Sequence, residues 1–233
     1  MFEYAGAAGR NRFQRSWDGI REHPSGVLLA AQLVGIAVFP FTESGGAGRT
    51  IISIFGLLVL ALAVLAVNRT PSTRIVAWSL GAPVFVLTIA EAITTNEMVA
   101  LTSNIFHAIF YFYTAVSLLR YMFADAWVSR DELLATGATF TVLIWAYAYT
   151  YGAVQLVWPD SFSVAGTVEQ LTWFQLLFLS TTTLTGTGLS DISPNVTANP
   201  ARSVIMLQML TGMNYIALVI ARLLGLTLVK FRR

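Results

Sequence analysis

The chain contains no cysteine and few charged residues. Without cysteine it has no disulfide framework and no thiolate that could act as a nucleophile or a metal ligand. Charged residues make up only 11% of the sequence and hydrophobic residues 56%, whereas an ordinary soluble domain is about 25% charged. This composition excludes an ordinary soluble protein and predicts an integral membrane protein. The formal charge of +2 therefore requires no nucleic-acid partner.

Catalytic signatures are missing as well. The sequence has no phosphate-binding Walker loop, no HExxH or Gly-x-Ser-x-Gly motif, and no cluster of histidines with carboxylates on one face. We therefore predict a protein that is not an enzyme and that uses no cofactor and no resident metal. The N-terminal segment has no basic region followed directly by an apolar core, so we expect no cleavable signal peptide.

Long apolar stretches predict the membrane topology, because a spanning helix needs about 20 mostly apolar residues. Six stretches meet this requirement: Ser25–Thr42, Thr50–Val67, Ile75–Ile93, Met98–Leu119, Leu133–Trp158 and Ala201–Val229. A further stretch, Gln170–Thr183, is too short to cross and predicts a re-entrant pore helix. The predicted fold class is an all-α integral membrane protein, with six transmembrane helices and a re-entrant pore helix and filter loop between helices 5 and 6.

Basic residues favour one orientation of these spans. They cluster before span 1, between spans 2 and 3, between spans 4 and 5, and after span 6: Arg10, Arg12, Arg15, Arg21, Arg69, Arg74, Arg120, Arg130, Lys230, Arg232 and Arg233. The opposite loops carry only Arg49 and Arg202 together with several acids. Because cytoplasmic loops are enriched in Lys and Arg, we predict a multi-pass protein of the plasma membrane, in contact with lipids, with both termini cytoplasmic.

The chain is predicted to contain four segments. Residues 1–24 form a cytoplasmic N-terminal segment, 25–119 a four-span membrane domain, 120–132 a cytoplasmic linker, and 133–233 a two-span pore domain. In the first segment Phe13, Trp17 and Ile20 recur on one helical face among arginines, which is typical of an amphipathic interfacial helix. Packing on the protein's own cytoplasmic side is the alternative. Span 4 has no arginine at every third position, which excludes an arginine voltage sensor.

Three motifs in the C-terminal part point to a known family. An aromatic-rich stretch, Trp173–Thr185, ends in Ser-x-x-Thr-Leu-Thr, residues Asp191–Pro194 read Asp-Ile-Ser-Pro, and Leu210–Tyr215 carries a central glycine. With these motifs, Trp173–Leu226 resembles the two-helix pore domain of the potassium-channel superfamily. The resemblance implies a homotetrameric pore, a selectivity filter between the two helices, and passive flux of potassium.

The filter sequence departs from this family. Gly186-Thr187-Gly188-Leu189-Ser190 stands where the family has Thr-Val-Gly-Tyr-Gly. A shift to Leu184–Gly188 restores Gly-x-Gly but breaks the spacing to Asp191, so the first alignment is preferred. Filter glycines allow alternate carbonyls to point inward, and Ser190 would therefore be strained if it occupied the place of the second glycine. We predict a filter that is shorter or wider, passing K⁺ or poorly selected monovalent cations.

The candidate site residues fall into four groups. They are the ion-binding filter, Thr185, Gly186, Thr187, Gly188 and Leu189; the outer mouth, Ser190 and Asp191; the pore helix and cavity, Thr181, Thr182, Thr183 and Asn214; and the gate or hinge, Gly212.

Most of these roles have a structural alternative. The threonine hydroxyls bond either the filter amides or carbonyls of their own helix. Asp191 either concentrates cations at the outer mouth or is a solvated loop acid. Gly212 permits either a bend or close helix packing, and Asn214 lines the cavity or bonds a neighbouring helix.

Two other ionisable side chains, Glu91 and His107, are predicted to lie within the spans. Such residues are functional candidates by default. His107 has no carboxylate within a turn or two and has tyrosines nearby, which favours a packing role for it.

The sequence thus predicts the pore-forming subunit of a tetrameric cation channel. The alternative is a non-conducting membrane scaffold or regulatory subunit that retains the channel fold, because the filter motif is altered.

Overall fold

Helices account for most of the residues that the structure describes. The computed structural model describes residues 23–41, 46–67, 71–124 and 130–231. The helices are α1 (Pro24–Val38), α2 (Gly46–Val67), α3 (Pro71–Ile93), α4 (Glu97–Met122), α5 (Arg130–Val157), α6 (Trp173–Leu184) and α7 (Asn199–Phe231). A short 3-10 turn, Phe39–Phe41, follows α1. Three short strands flank α6: β1 (Phe162–Val164), β2 (Thr167–Val168) and β3 (Ile192–Pro194).

Five of the described stretches are long and apolar enough to cross a membrane by length and composition. They are Pro24–Phe41, Ile75–Ile93, Glu97–Met122, Asp131–Val157 and Asn199–Arg222. The predicted second span coincides with α2, whose described apolar part is Phe55–Ala66. These helices are consistent with an all-α membrane protein. The count of six spans and the re-entrant course of α6 stay predictions, and the predicted amphipathic helix around Phe13–Ile20 lies outside the described residues.

Helix α5 occupies the centre of the bundle. In its span 61% of the residues are buried, against 22 to 39% in the other four. It packs against α1, α4, α6 and α7, and Trp145 and Tyr151 are among the largest fully buried side chains. Because α5 contacts helices on both sides of it in the chain, the predicted four-span and two-span segments share one apolar core.

Polar side chains hold α5 to α1 within this core. Thr141 Oγ1 donates to Gln32 Oε1 at 2.6 Å, and both residues are buried. Nearer the start of α5, the backbone N–H and hydroxyl of Ser25 donate to the Asp131 carboxylate at 3.3 and 3.1 Å. Buried polar groups that lack partners are costly, so these bonds fix how α1 lies along α5.

The second half of α7 is held to α5 and α4. Tyr215 Oη donates to the Thr136 carbonyl at 2.5 Å. Two turns further along, Arg222 forms an ion pair of 3.9 Å with Glu132. The guanidinium of Arg222 also lies 4.8 Å from the centre of the Phe123 ring. These contacts join the end of α7 to the beginning of α5, at the end of the bundle that is predicted to be cytoplasmic.

The strands form a small antiparallel sheet that the sequence analysis did not predict. Their order is β2-β1-β3, and Ser163 of β1 lies opposite Ser193 of β3. Strands of two or three residues are too short to show the alternating pattern from which strands are recognised. The sheet connects the segment that follows α5 to the segment that precedes α7.

Candidate functional site

Helix α6 begins where its N-terminal backbone groups are capped. The Thr172 hydroxyl accepts from Gln175 N at 3.4 Å, and the Gln175 side chain accepts in return from Thr172 N at 2.7 Å. This reciprocal pair satisfies two amides that a helix start leaves free. It explains why α6 starts at Trp173 rather than at Gln170, where the apolar stretch of the sequence begins.

A buried hydrogen-bond network connects α6 to its two neighbours. Ser180 Oγ donates to the Ile144 carbonyl of α5 at 2.7 Å. Gln208 Nε2 of α7 donates to the Ser180 carbonyl at 2.8 Å and to its hydroxyl at 2.7 Å, while Tyr151 of α5 donates to Gln208 Oε1. Ser180, Tyr151 and Gln208 are fully buried. The three helices α5, α6 and α7 therefore meet through satisfied polar contacts, which favour one arrangement of the helices.

Gln208 is a functional candidate that the sequence analysis missed. Its signal was available, since an uncharged amide in the middle of an apolar span faces other helices or water rather than lipid. For Asn214, another amide in this span, the same reasoning predicts that it lines the cavity or bonds a neighbouring helix.

The loop after α6 turns on two glycines with positive φ. Gly186 has φ +70° and Gly188 has φ +63°, which is the left-handed region that side chains disfavour. The amides of both glycines point back at the helix: Gly186 N donates to the Thr183 carbonyl at 3.2 Å and Gly188 N to the Thr182 carbonyl at 3.4 Å. Glycine is thus favoured at positions 186 and 188 because the backbone has positive φ there.

Ser190 does not adopt the left-handed backbone conformation that would strain it. Among the described residues, positive φ outside glycine occurs only at Asp160 and Ala165. Instead, the Ser190 hydroxyl accepts from Ile192 N at 3.0 Å and forms a turn. The condition for strain at Ser190, the backbone of a second filter glycine, is therefore not met, because the backbone leaves the left-handed region before Ser190.

Three of the threonine hydroxyls bond their own helix. Thr181, Thr182 and Thr185 donate to the carbonyls of Leu177, Leu179 and Thr181 at 2.8, 3.0 and 2.8 Å. The amides of Gly186 and Gly188 donate to threonine carbonyls, not to threonine hydroxyls. This is the alternative that the sequence left open for the threonines, and it follows from the short reach of the side chain to the preceding turn.

A cavity of about 530 Å³ lies beneath the loop. Its walls come from the end of α6, the loop, β3 and the middle of α7, and they include the predicted site residues Thr182, Thr183, Thr185, Gly186, Gly188 and Ser190. The remaining predicted residues, Thr181, Thr187, Leu189, Asp191, Gly212 and Asn214, do not line it. Among the residues that the structure describes, no charged side chain lines it.

The loop is held at both ends and exposed in the middle. Beyond it, Ala165 N donates to the Asp191 carbonyl at 2.9 Å, and β3 pairs with β1. Residues 185–189 between these contacts are exposed, with Leu189 at 75%. The single chain thus has an exposed loop that is held at both ends and that carries glycines and neutral oxygens.

Gly212 allows α7 to approach the end of α6. A Cβ at this position would overlap the Leu184 carbonyl oxygen, so the residue serves close helix packing in this structure. Asn214 Nδ2 donates to the Leu210 carbonyl of its own helix at 2.8 Å, and the residue is exposed. Met209 and Met213 are exposed and line the cavity, so this part of α7 borders the space beneath the loop.

The arrangement of α5, α6, the loop and α7 defines a class of membrane protein: two long apolar helices that enclose a short helix and a glycine-bearing loop. Comparison with known proteins agrees with that class, since the family model described as "Ion channel" matches residues 136–227. The matched part runs from α5 to α7 and contains the loop and its cavity. No curated protein and no solved structure matches the chain. This part of the chain is therefore similar to ion channels, and the match supports a membrane protein that passes ions.

Proposed function

We propose that the chain is the pore-forming subunit of a homotetrameric cation channel, which passes K⁺ or poorly selected monovalent cations. The observation that carries the proposal is the loop Thr185–Leu189. Two of its glycines have positive φ, both of its ends are held, and its middle is exposed, all within the segment that matches ion channels. A loop of this kind inside a membrane is tolerated where it lines a water-filled passage.

The chemistry of the cavity favours monovalent cations. Its described walls offer backbone carbonyls and the hydroxyls of threonine and serine, and no carboxylate is among them. Divalent cations prefer carboxylate oxygens, whereas rings of neutral oxygens can replace the water around K⁺. In addition, α6 ends at Leu184 beside the cavity, and the C-terminal end of a helix carries a partial negative charge.

Several copies are needed to enclose an ion. One loop supplies oxygens on one side only, and a closed ring of identical copies supplies them on all sides. The exposed loop and the exposed apolar residues of α7 offer the surfaces that such copies would share. Four copies is the number implied by the resemblance to potassium channels.

The proposal extends to the rest of the chain. The four N-terminal spans pack around the pore as a support or gate, and the segment predicted as the linker, 120–132, connects α4 to α5, with 120–122 and 130–132 belonging to those two helices. Both termini are cytoplasmic, and the protein resides in the plasma membrane. Asp191, exposed beyond the loop, attracts cations to the outer mouth. No arginine sensor takes part in gating.

Reversal potentials test this proposal. Purified protein in planar bilayers is exposed to gradients of K⁺, Na⁺ and Cl⁻, and native mass is measured in detergent. We expect a mass of four chains and a reversal potential that follows the monovalent cations. A monomeric mass, or a potential that follows Cl⁻, contradicts the proposal. A stable tetramer that is silent in every ionic condition supports the scaffold, which the altered residues Leu189 and Ser190 favour as second candidate.

A further inference from the structure

A second cavity, of about 480 Å³, lies between the N-terminal helices and the start of α6. It is at the end of the bundle where α3 ends, α4 begins and α5 ends. Its walls include Glu91 of α3, Glu97 of α4, Trp145 and Tyr149 of α5, and Trp173, the first residue of α6. Neither the proposed pore nor the loop requires this cavity.

Aromatic rings dominate one side of this cavity. The ring centres of Tyr149 and Trp173 are 4.2 Å apart, and those of Trp145 and Trp173 are 6.2 Å apart. Trp145 Nε1 is buried and has no hydrogen-bond partner among the described residues. The electron-rich faces of such rings attract cations, tryptophan most strongly.

The described charges of the cavity have one sign. Among the residues that the structure describes, both charged side chains in its walls, Glu91 and Glu97, are carboxylates, and no lysine or arginine lines it. His107 also borders the cavity, but its ring nitrogens are engaged with Ser103 and Thr88, with Nδ1 2.8 Å from the Ser103 carbonyl and Nε2 3.2 Å from Thr88 Oγ1. The His107 ring in turn stacks on Tyr149 at 4.3 Å and helps to fix that ring.

The combination selects one class of ligand. A metal ion would need several converging oxygen or nitrogen ligands, and among the described residues no group of three His, Asp or Glu side chains could hold one. Aromatic faces together with a carboxylate are the means by which proteins recognise substituted ammonium groups. A volume of about 480 Å³ is also in the range of small-molecule sites.

We propose that this cavity binds a small organic ammonium cation, with Trp145, Tyr149 and Trp173 forming the aromatic wall on one side of the ammonium group and Glu91 as its counter-ion. Because Trp173 begins α6, the bound cation contacts the helix that carries the loop. An effect of the ligand on ion flux would rest on the proposed channel function; binding itself does not.

Titration of the full-length protein in detergent with choline tests the proposal, with calorimetry as the readout. The neutral isostere 3,3-dimethyl-1-butanol has the same shape without the charge. We expect saturable choline binding, and at least about tenfold weaker binding of the isostere, since the ring faces attract only the cation. Glu91→Gln and Tyr149→Leu should each weaken choline binding by about tenfold.

Asp160→Asn is the matched control, because Asp160 is an exposed acid outside the cavity, and it should leave the affinity unchanged. Equal affinity for choline and its isostere, an unchanged affinity in Glu91→Gln, or an equal loss in Asp160→Asn overturns the proposal. Glu91→Gln changes no volume, so it decides the question if Tyr149→Leu fails to fold. If the protein binds choline but conducts no ions, the binding proposal stands and the channel proposal is overturned. If it conducts ions but does not bind choline, the channel proposal stands and the binding proposal is overturned.

Discussion

At the scale of single residues, glycines explain the geometry of the candidate pore. Gly186 and Gly188 hold backbone conformations that other residues adopt at a cost, and Gly212 leaves the space into which the Leu184 carbonyl fits. The sequence predicted that these three positions matter. It left open whether Gly212 bends or packs its helix, because that depends on which atom lies opposite.

Gly188→Ala should abolish cation flux while the protein still assembles. An alanine at φ +63° costs about 1–2 kcal/mol, and the loop can relieve that strain by turning its carbonyls away from their present positions. Flux into liposomes and native mass are the measurements. Gly166→Ala is the control, since Gly166 has φ +88° with open space around it and lies between β1 and β2. Flux that survives in Gly188→Ala, or is lost equally in Gly166→Ala, shows that the loop is not the pathway.

Gly212→Ala should destabilise the protein through its packing. The new methyl group meets the backbone of Leu184, which cannot move as a side chain can, and overpacking costs about 1–3 kcal/mol. Thermal unfolding in detergent reports this as a lower midpoint. Gly56→Ala, in α2 with nothing within 4 Å of the added atom, should be neutral or stabilising by up to about 1 kcal/mol. Equal midpoints for the two variants would mean that α7 does not pack this closely.

At the scale of secondary-structure elements, α6 is positioned by its neighbours. Its capping box was legible in Thr172 and Gln175, although the apolar pattern placed its start three residues earlier. Its position between α5 and α7 is set by the buried hydrogen bonds of Ser180, Gln208 and Tyr151. No local pattern connects residues so far apart in the chain, which is why the sequence analysis did not pair them.

Gln208→Leu should loosen α6 from α7. Leucine is similar in size but leaves the carbonyl of Ser180 and the hydroxyl of Tyr151 with fewer partners, and an unsatisfied buried polar group costs about 1–3 kcal/mol. The unfolding midpoint in detergent should fall. Asn214→Leu is the matched comparison, because the Asn214 amide bonds only its own helix and is exposed. A fall of the same size in both variants would assign no special role to the network.

At the scale of the whole molecule, α5 packs against helices from both halves of the chain. The sequence predicts a four-span segment and a two-span segment joined by a linker at 120–132, and this division stays a prediction. In the structure the core is continuous across that boundary, through contacts of α5 with α1 and α4 on one side and with α6 and α7 on the other. We therefore expect the N-terminal helices to influence the pore through α5 and Trp173.

The orientation in the membrane can be tested directly because the chain contains no cysteine. Single cysteines are introduced at Arg120 and at Glu169, both exposed, and labelled in intact cells with a maleimide that does not cross membranes. The positive-inside pattern predicts labelling at position 169 and none at position 120 until the membrane is permeabilised. Labelling at position 120 in intact cells would reverse the proposed orientation.

The sequence alone determined the membrane class, the helical stretches and the glycine-bearing loop between the last two of them. These features depend on local composition, on the length of apolar runs and on the backbone freedom of glycine, all of which are readable residue by residue. Only the tertiary structure decided that the loop amides donate to threonine carbonyls, that Ser190 turns without positive φ, that Gln208 bonds Ser180 and Tyr151, and that Trp173 packs against Trp145 and Tyr149. The contacts in the loop are local, but several backbone courses are open to it until its surroundings are packed. The contacts of Gln208 and Trp173 join residues distant in the chain, and their energies depend on burial and distance, which arise only when the helices pack.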